Sequence, residues 1–281
     1  MFKYSIVFSA RNREEQLRYA FPTILEKYKN RDDVEIVCMD DDSDDNTRNI
    51  LDNFLNYSEY SDSWKKRFSI YGSLRDRTEG YDIKQNRQIN FLVDKTDGEY
   101  LILQSAEVAY IDDIIEDLSV FASDKHVAFA HVLNCEKPSV NDDFLKLLSV
   151  DRKKFVWDLF SPGFTVRVNH VTCDMSTFAP ALSGVILLDL NSHEKRNHMY
   201  FHPEYILKLP DKDRFYQEYS GPLRLAPLFF CGMIRKSDFT NMGGYPDADL
   251  VDATFANILS KNNFKFTFTS SLAVHIKHDK N

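Results

Sequence analysis

Cysteine is scarce in this chain. Four stand in 281 residues, Cys38, Cys135, Cys173 and Cys231, far apart and without CxxC spacing. That excludes a disulfide framework and reads as reduced, mostly core thiols of a cytosolic protein. Positive charge is in deficit too: 35 Lys and Arg against 43 Asp and Glu leave a net charge of −8. Such a balance argues against a protein that grips nucleic acid or anionic lipid over a broad face. It leaves room for a small basic pocket around a phosphorylated ligand. No run approaches the ~20 apolar residues of a membrane helix. The opening MFKYSIVFSA lacks the long apolar stretch and small-residue cleavage site of a signal peptide. The expectation is a soluble, cytoplasmic protein with no transmembrane segment. Nine glycines and nine prolines never gather into a linker, and there is no repeat or low-complexity tract. One continuous domain over 1–281 is expected. Also missing are a Gly-rich phosphate loop and a G-x-G-x-x-G after the first strand, which counts against a nucleotidyltransferase and a nicotinamide dehydrogenase.

What is present is a core and a rhythm. Hydrophobic residues make up 43% of the chain, enough for a sizeable interior. YSIVFSA (4–10) and VEIVCM (34–39) are short apolar runs rich in β-formers, and predict buried strands. Between them, NREEQLRYAFPTILEKY (12–28) has helical spacing at Leu17, Ala20, Phe21 and Leu25, with acids in its first turn. TRNILDNFLNY (47–57) predicts a second helix, RFSIYGS a third strand, QNRQINFLVDKT (85–96) a third helix and GEYLILQS (98–105) a fourth strand. This alternation predicts an α/β fold with a mostly parallel sheet covered on both faces. From about residue 135 the rhythm breaks, and LSGVILLDL and APLFFCGMIRKSDF carry the next apolar runs. A helix over VDATFANILSKN and a strand over KFTFTSSLAVHI close the chain.

One corner concentrates like charge. DDDSDDNT (40–47) holds five aspartates directly after the second strand, in a loop of the kind where open α/β sheets bind ligands. An EF-hand is excluded, because counting from Asp40 or Asp42 finds neither Gly at position 6 nor Glu at position 12. Asp44 or Asp45 suits a cap on the following helix. Asp40, Asp41 and Asp42 remain, a costly cluster unless one of them accepts hydrogen bonds from a ligand.

Four motifs now stand in order: YSIVFSARNR, VEIVCMDDDSDDNT, GEYLILQSAEV and NMGGYPDADLVDATFANIL. Their order and spacing resemble the GT-A glycosyltransferases of family 2, which carry a polar strand tip, a DDGSxDxT turn, a GEYI strand running into Asp-x-Asp, and a GGFDE segment. The resemblance covers most of the chain, more weakly over 135–225. It implies a single GT-A, Rossmann-like domain in which about 1–110 binds the nucleotide sugar and about 111–281 the acceptor. Ser9 and Arg11 match the strand tip that lines the base and ribose pocket. Asp41 matches the carboxylate that accepts the uracil ring N–H; its structural alternative is a turn aspartate bonding its own backbone. Lys84 and Arg87 would offset diphosphate charge, or else form a solvated helix face.

The metal motif departs from the pattern. Where Asp-x-Asp is expected the chain has Ser105, Ala106 and Glu107. Glu107 falls on the last carboxylate, which the resemblance makes the ligand of a divalent cation, Mn2+ or Mg2+, bridging the diphosphate. Ser105 is grouped with the donor-binding residues. One carboxylate suffices where phosphates and water complete the shell; the alternative is a surface Glu in a protein that has lost metal or catalysis. In AVHIKHDK, His275 and His278 are three apart and face opposite sides of a strand, so one at most ligates. His275 is the choice on the resemblance, with a structural histidine as its alternative. Aromatics such as Trp157, Phe160, Phe164, Tyr216 and Tyr219 would stack on sugar faces or simply fill core. Among Asp247, Asp249 and Asp252, the resemblance favours Asp252 as catalytic base, with Phe255 packing inward three residues on, and Asp249 second; an N-cap role is the alternative. The expected function is inverting, metal-assisted transfer from a UDP-sugar to a hydroxyl of a glycan or other acceptor. Its rival is a non-catalytic nucleotide-sugar-binding or scaffolding protein with a degenerate metal motif.

Overall fold

The computed structural model describes residues 2–56, 62–74, 85–135, 217–219, 231–248 and 251–276. In the first half, strands and helices alternate: β1 (Tyr4–Ala10), α1 (Glu14–Tyr28), β2 (Val34–Asp40), α2 (Thr47–Leu55), α3 (Asp62–Lys65), β3 (Phe68–Gly72), α4 (Gln85–Asp94) and β4 (Tyr100–Gln104). After them come β5 (Val108–Tyr110), α5 (Ile114–Ser119), β6 (His126–Cys135), β7 (Gln217–Tyr219), β8 (Cys231–Arg235), α6 (Lys236–Asn241), α7 (Val251–Lys261) and β9 (Lys265–Ile276). No helix among the described residues is long and apolar enough to cross a membrane.

The nine strands among the described residues join one sheet in the order β3-β2-β1-β4-β8-β6-β9-β5, with β7 also paired to β9. β1 to β4, β6 and β9 run one way, while β5, β7 and β8 run the other. The sheet is thus mostly parallel, as the sequence rhythm predicts. The period of two along each strand divides the core. Ile6, Phe8, Ile36, Cys38 and Ile102 pack under α1, α2, α3 and α5. Val7, Val37, Met39, Leu101 and Leu103 pack on the other face, under α4, α6 and α7. Continuous apolar runs in β1, β2 and β4 follow from burial on both faces.

Boundaries differ from the sequence expectation for local reasons. Asn12 takes a left-handed backbone, φ 50°, so α1 starts at Glu14 rather than at 12. β4 loses its expected ends because Asp97 and Gly98 are engaged elsewhere and Ser105 opens a turn closed by the Val108 N–H at 3.3 Å. The run CGMIRKSDF breaks into β8 and α6 at Arg235.

The engagement of Asp97 and Gly98 is a buried polar knot. Glu35, on β2, accepts hydrogen bonds from the Ser5 hydroxyl at 2.5 Å and from the N–H groups of Asp97 at 2.6 Å and Gly98 at 3.0 Å. Its carboxylate thereby ties the entry of β4 to β1 and β2. Gly98 is required by close approach: a Cβ there would lie 2.3 Å from Ser5 Oγ and 2.8 Å from Ser5 N. Gly98→Ala should therefore destabilise the protein by about 1–3 kcal/mol, the range for forcing extra atoms into a packed interior. Urea unfolding measures this, and an unchanged midpoint would show that β4 can draw away from β1 at no cost.

Candidate active site

At the carboxyl ends of the parallel strands, the alternation that buries Val7, Met39 and Leu103, and packs the half-buried Tyr71, on the α4 face continues into polar residues. Ser9 follows Val7, Asp41 follows Met39, Ser73 follows Tyr71 and Ser105 follows Leu103, each two positions on. Asp41 is buried, 3% exposed. Its N–H donates to Ala10 O at 2.8 Å, and its Oδ1 accepts from the Ser73 hydroxyl at 2.8 Å. Ser9 Oγ donates to Gln88 Oε1 at 2.8 Å, which seats the first turn of α4 against the tip of β1. Gln88 and Asn86 of that turn are both buried. The result is a polar corner between β1, β2, β3 and α4.

The rest of the aspartate loop builds its own scaffold. Asp45 accepts from Thr47 N–H at 2.9 Å and from Glu14 N–H at 3.1 Å, so one carboxylate serves the starts of α1 and α2. The N-cap residue of α2 is Asn46, whose side chain makes no cap bond. Asp44 is exposed, and its N–H donates to Asn12 Oδ1 at 2.8 Å. Asn12 N–H donates to Ser43 Oγ at 3.0 Å, and Arg13 N–H to Thr47 Oγ1 at 2.7 Å. The loops after β1 and β2 are therefore laced together, and Asp41 is held on a rigid support.

Glu107 is buried beyond β4, and Arg13 Nε donates to its carboxylate in an ion pair. The Arg13 guanidinium also donates to the carbonyls of Arg11 at 2.7 Å and Asn12 at 3.0 Å. His275 on β9 lies opposite Val108 on β5, and the Ile276 N–H donates to Glu107 O at 3.0 Å. Glu107 and His275 are thus on adjoining chain segments, one residue out of register. Among the described residues, no three His, Cys, Asp or Glu gather as a metal-holding group. A single buried carboxylate fits a magnesium- or manganese-type ion whose remaining ligands are phosphate and water, provided that Arg13 yields its bond.

A second polar joint lies on the α4 face. Gly243 and Gly244 both have positive φ, 85° and 70°, and a Cβ on Gly244 would come 2.6 Å from Asn90 Oδ1. Only glycine makes that turn without strain. Beyond it, Asn90 of α4 clasps Tyr245: Asn90 Oδ1 accepts from Tyr245 N–H at 2.8 Å, and Asn90 Nδ2 donates to Tyr245 O at 2.9 Å. Burial drives the Tyr245 hydroxyl well above its ordinary pKa, and the charge of Asp252 and a hydrogen bond to it add to the effect. The phenol accordingly stays a donor, aimed at the Asp252 carboxylate in the first turn of α7.

Of the residues singled out from sequence, Ser9, Asp41 and Ser105 share one sheet face, and Asp252 joins that face through Tyr245. Glu107 and His275 approach each other on neighbouring segments. Arg11 is half-buried, its carbonyl bonded by Arg13, and Arg87 is exposed on the first turn of α4. Lys84, Asp249 and His278 lie outside the described residues, as do Trp157, Phe160, Phe164 and Tyr216; Tyr219 falls on β7. Sequence reasoning missed Arg13, Ser73, Gln88, Asn90 and Tyr245. For Gln88 a signal existed, since it stands four residues before the buried Leu92 and so interrupts an apolar stripe with a carboxamide.

A family model described as glycosyl transferase family 2 matches residues 5–146. No curated protein sequence matches the chain. Among solved structures, the chain is similar to residues 1–349 of S. aureus TarS in complex with UDP-GlcNAc, with a TM-score of 0.54 at 13% identity, covering 100% of this chain and 60% of that one. It is similar to GalNAc-T7 with UDP, GalNAc and Mn2+, at a TM-score of 0.56 and 13% identity over 99% of this chain and 44% of that one. A third is the mannosyltransferase PcManGT from Pyrobaculum calidifontis with GDP-Man and Mn2+, at 0.55 and 11% over 97% and 56%. The chain spans between 44% and 60% of the length of these relatives. At such identities the likeness speaks for the fold, which is GT-A.

Asp42 stands where the DDGS turn has glycine, and its φ is 56°. Left-handed backbone costs a residue with a Cβ roughly 1–2 kcal/mol, less for Asp, whose short polar side chain bonds locally. Asp42→Gly and Asp42→Ala lose the same side-chain contacts, but only the alanine keeps the strain. The glycine variant should therefore be more stable than the alanine variant by about 1 kcal/mol. Equal thermal or urea midpoints for the two would show that the turn can relax out of the left-handed region.

Proposed function

The chain belongs to glycosyl transferase family 2, and from that premise we propose that it is an inverting glycosyltransferase moving a sugar from a UDP-sugar to a hydroxyl of a glycan or other acceptor. The observation that carries this reading is Asp41. It is a buried carboxylate at the carboxyl end of a parallel strand, on the same face as Ser9 and under the first turn of α4, inside the matched region 5–146. A fixed carboxylate there accepts the ring N–H of uracil, which cytosine lacks at the same place. Relatives solved with UDP-GlcNAc, with UDP and with GDP-Man support a nucleotide-sugar donor.

In the proposed division, residues up to about 110 hold the donor and the remainder the acceptor. Ser9 and Arg11 line the base and ribose side. Ser105, Lys84 and Arg87 belong to the donor side, the two cations facing diphosphate charge. Glu107, with His275 beside it, would hold a Mn2+ or Mg2+ ion, which when bound supplies positive charge to the leaving diphosphate. Relatives solved with Mn2+ support that assignment. The chemical step is one displacement. As the acceptor oxygen bonds the anomeric carbon from the face opposite the diphosphate, the bond to the diphosphate breaks and UDP departs with the electron pair. Asp252 takes the hydroxyl proton, and no covalent intermediate on the enzyme is needed. The Tyr245 hydroxyl, kept protonated, orients the Asp252 carboxylate for this work. The cytoplasmic location expected from the cysteines stays part of the proposal.

The second reading, a non-catalytic nucleotide-sugar-binding protein, draws on the Arg13–Glu107 ion pair, in which a guanidinium already neutralises the single metal-motif carboxylate. Calorimetry separates the two. UDP should bind more tightly than CDP, and added manganese should raise UDP affinity in the native protein but not in Glu107→Ala. Manganese-independent UDP binding in both, with no sugar transfer, would favour the second reading. Absence of any nucleoside diphosphate binding would remove both.

Asp252→Asn keeps the shape and much of the capping ability of the residue. A purely structural Asp252 predicts near-native turnover, whereas a catalytic base predicts a loss of ~100-fold or more with UDP-sugar affinity intact. Native-like transfer by Asp252→Asn together with an inactive Asp249→Asn would shift the base to Asp249.

A further inference from the structure

Gln88 carries a feature that the reading above leaves unused. It is 1% exposed, its Oε1 is taken up by the Ser9 hydroxyl, and its Nε2 is buried with no hydrogen-bond partner. Buried carboxamide donors are nearly always paired, so an orphan beside the proposed donor corner points to a group that arrives with a ligand. Asn86, two residues earlier in the same helical turn, is also buried and leaves its Oδ1 unpaired. The turn opens a ten-residue helix, α4, at the corner where Asp41 and Ser73 are bonded.

We infer that Gln88 is a base-reading residue, whose Nε2 donates to a ring carbonyl of the base whose adjacent N–H is accepted by Asp41. The inference rests on the nucleotide-sugar reading of the site and names a second residue, beside Asp41, that sets its base preference. A carboxylate acceptor next to a carboxamide donor matches the N3–H and flanking carbonyl of uracil. With O4 as the carbonyl that Gln88 reads, cytosine mismatches both groups, because it presents an acceptor at N3 and an amino donor at C4. Adenine fails for the same reason. Guanine offers an N–H and a carbonyl side by side, and differs from uracil by its second ring. In the Ser9 bond Oε1 accepts the hydroxyl proton, which leaves the N–H end of the amide for another partner.

Gln88→Glu is the sharp variant, since it keeps the size and the acceptor for Ser9 and exchanges only the N–H end for oxygen. Calorimetric titration of UDP, GDP and CDP into native protein and variant is the experiment, with thermal melting to show that the variant is folded. UDP affinity should fall at least about tenfold, equivalent to ~1.4 kcal/mol, and the ratio of UDP to CDP affinity should fall with it, leaving only the preference that Asp41 supplies. Gln88→Met, which removes both polar atoms without adding charge, should also lower the UDP-to-CDP ratio, and serves where the glutamate variant does not fold. A residue that only supports α4 would weaken all three nucleotides equally and leave the ratio unchanged. If the native protein prefers UDP and a folded variant keeps that ratio, the assignment of Gln88 is overturned while the nucleotide-sugar reading stands. If folded native protein binds none of the three, both fall together.

Discussion

Everything at the carboxyl edge of this sheet depends on where α4 lies, and two side chains fix it. Gln88 holds the helix to the tip of β1 through Ser9, and Asn90 clasps both backbone groups of Tyr245. The first bond faces the aspartate loop. The second faces the glycine turn and, through the Tyr245 hydroxyl, Asp252. Apolar packing of Ile89, Leu92 and Val93 supplies the adhesion but does not choose a register along the sheet. The polar bonds do, because each buried donor or acceptor misplaced by a slip would be left unpaired. One short helix therefore sets the proposed donor corner and the proposed base in a common frame.

The acidic loop looks different once its bonds are traced. Five neighbouring carboxylates in the unfolded chain repel one another; in the fold they have separate jobs. Asp45 bridges two helix starts, Asp41 is buried against Ser73, and Asp42 occupies a left-handed turn. Helix N-termini and backbone N–H groups supply the positive ends that this density of charge needs. Only Asp41 lies on the α4 face among buried polar groups, which is why the cluster reduces to one candidate for ligand recognition.

How much of this was legible in the sequence divides along physical lines. The strands β1, β2 and β4 announced themselves because burial on both faces leaves only apolar residues to write them with. β5, α5 and β6 did not, since 106–135 alternates short apolar pieces with polar ones and its strands gain their identity by pairing with β8 and β9, far away in sequence. Asp41 and Glu107 could be picked out by motif position, but Arg13 as the partner of Glu107 could not, because they are 94 residues apart. Tyr245 read as one more aromatic after a glycine pair, and its hydroxyl gained meaning only when Asp252 was found to accept from it. Backbone turns were harder to read: Asn12 and Asp42 are residue types that tolerate positive φ, but which of the many Asn and Asp residues adopt it shows only in the lacing of the two loops.

The Arg13–Glu107 pair joins the two halves of the argument about charge. A buried carboxylate without a partner is expensive, so before any ligand arrives something must neutralise Glu107. Arg13 does so from the start of α1, held in place by the carbonyls of Arg11 and Asn12. Those carbonyl bonds do not depend on Glu107. Under the proposed function, a bound diphosphate and its cation would let the carboxylate change partners while the guanidinium keeps its backbone anchors and offers its fork geometry to phosphate oxygens. Such an exchange would conserve charge pairing: carboxylate with guanidinium before binding, and carboxylate with cation and guanidinium with phosphate after it. The single carboxylate of the Ser105-Ala106-Glu107 stretch is thus matched, within the fold, by an arginine resident at the start of α1.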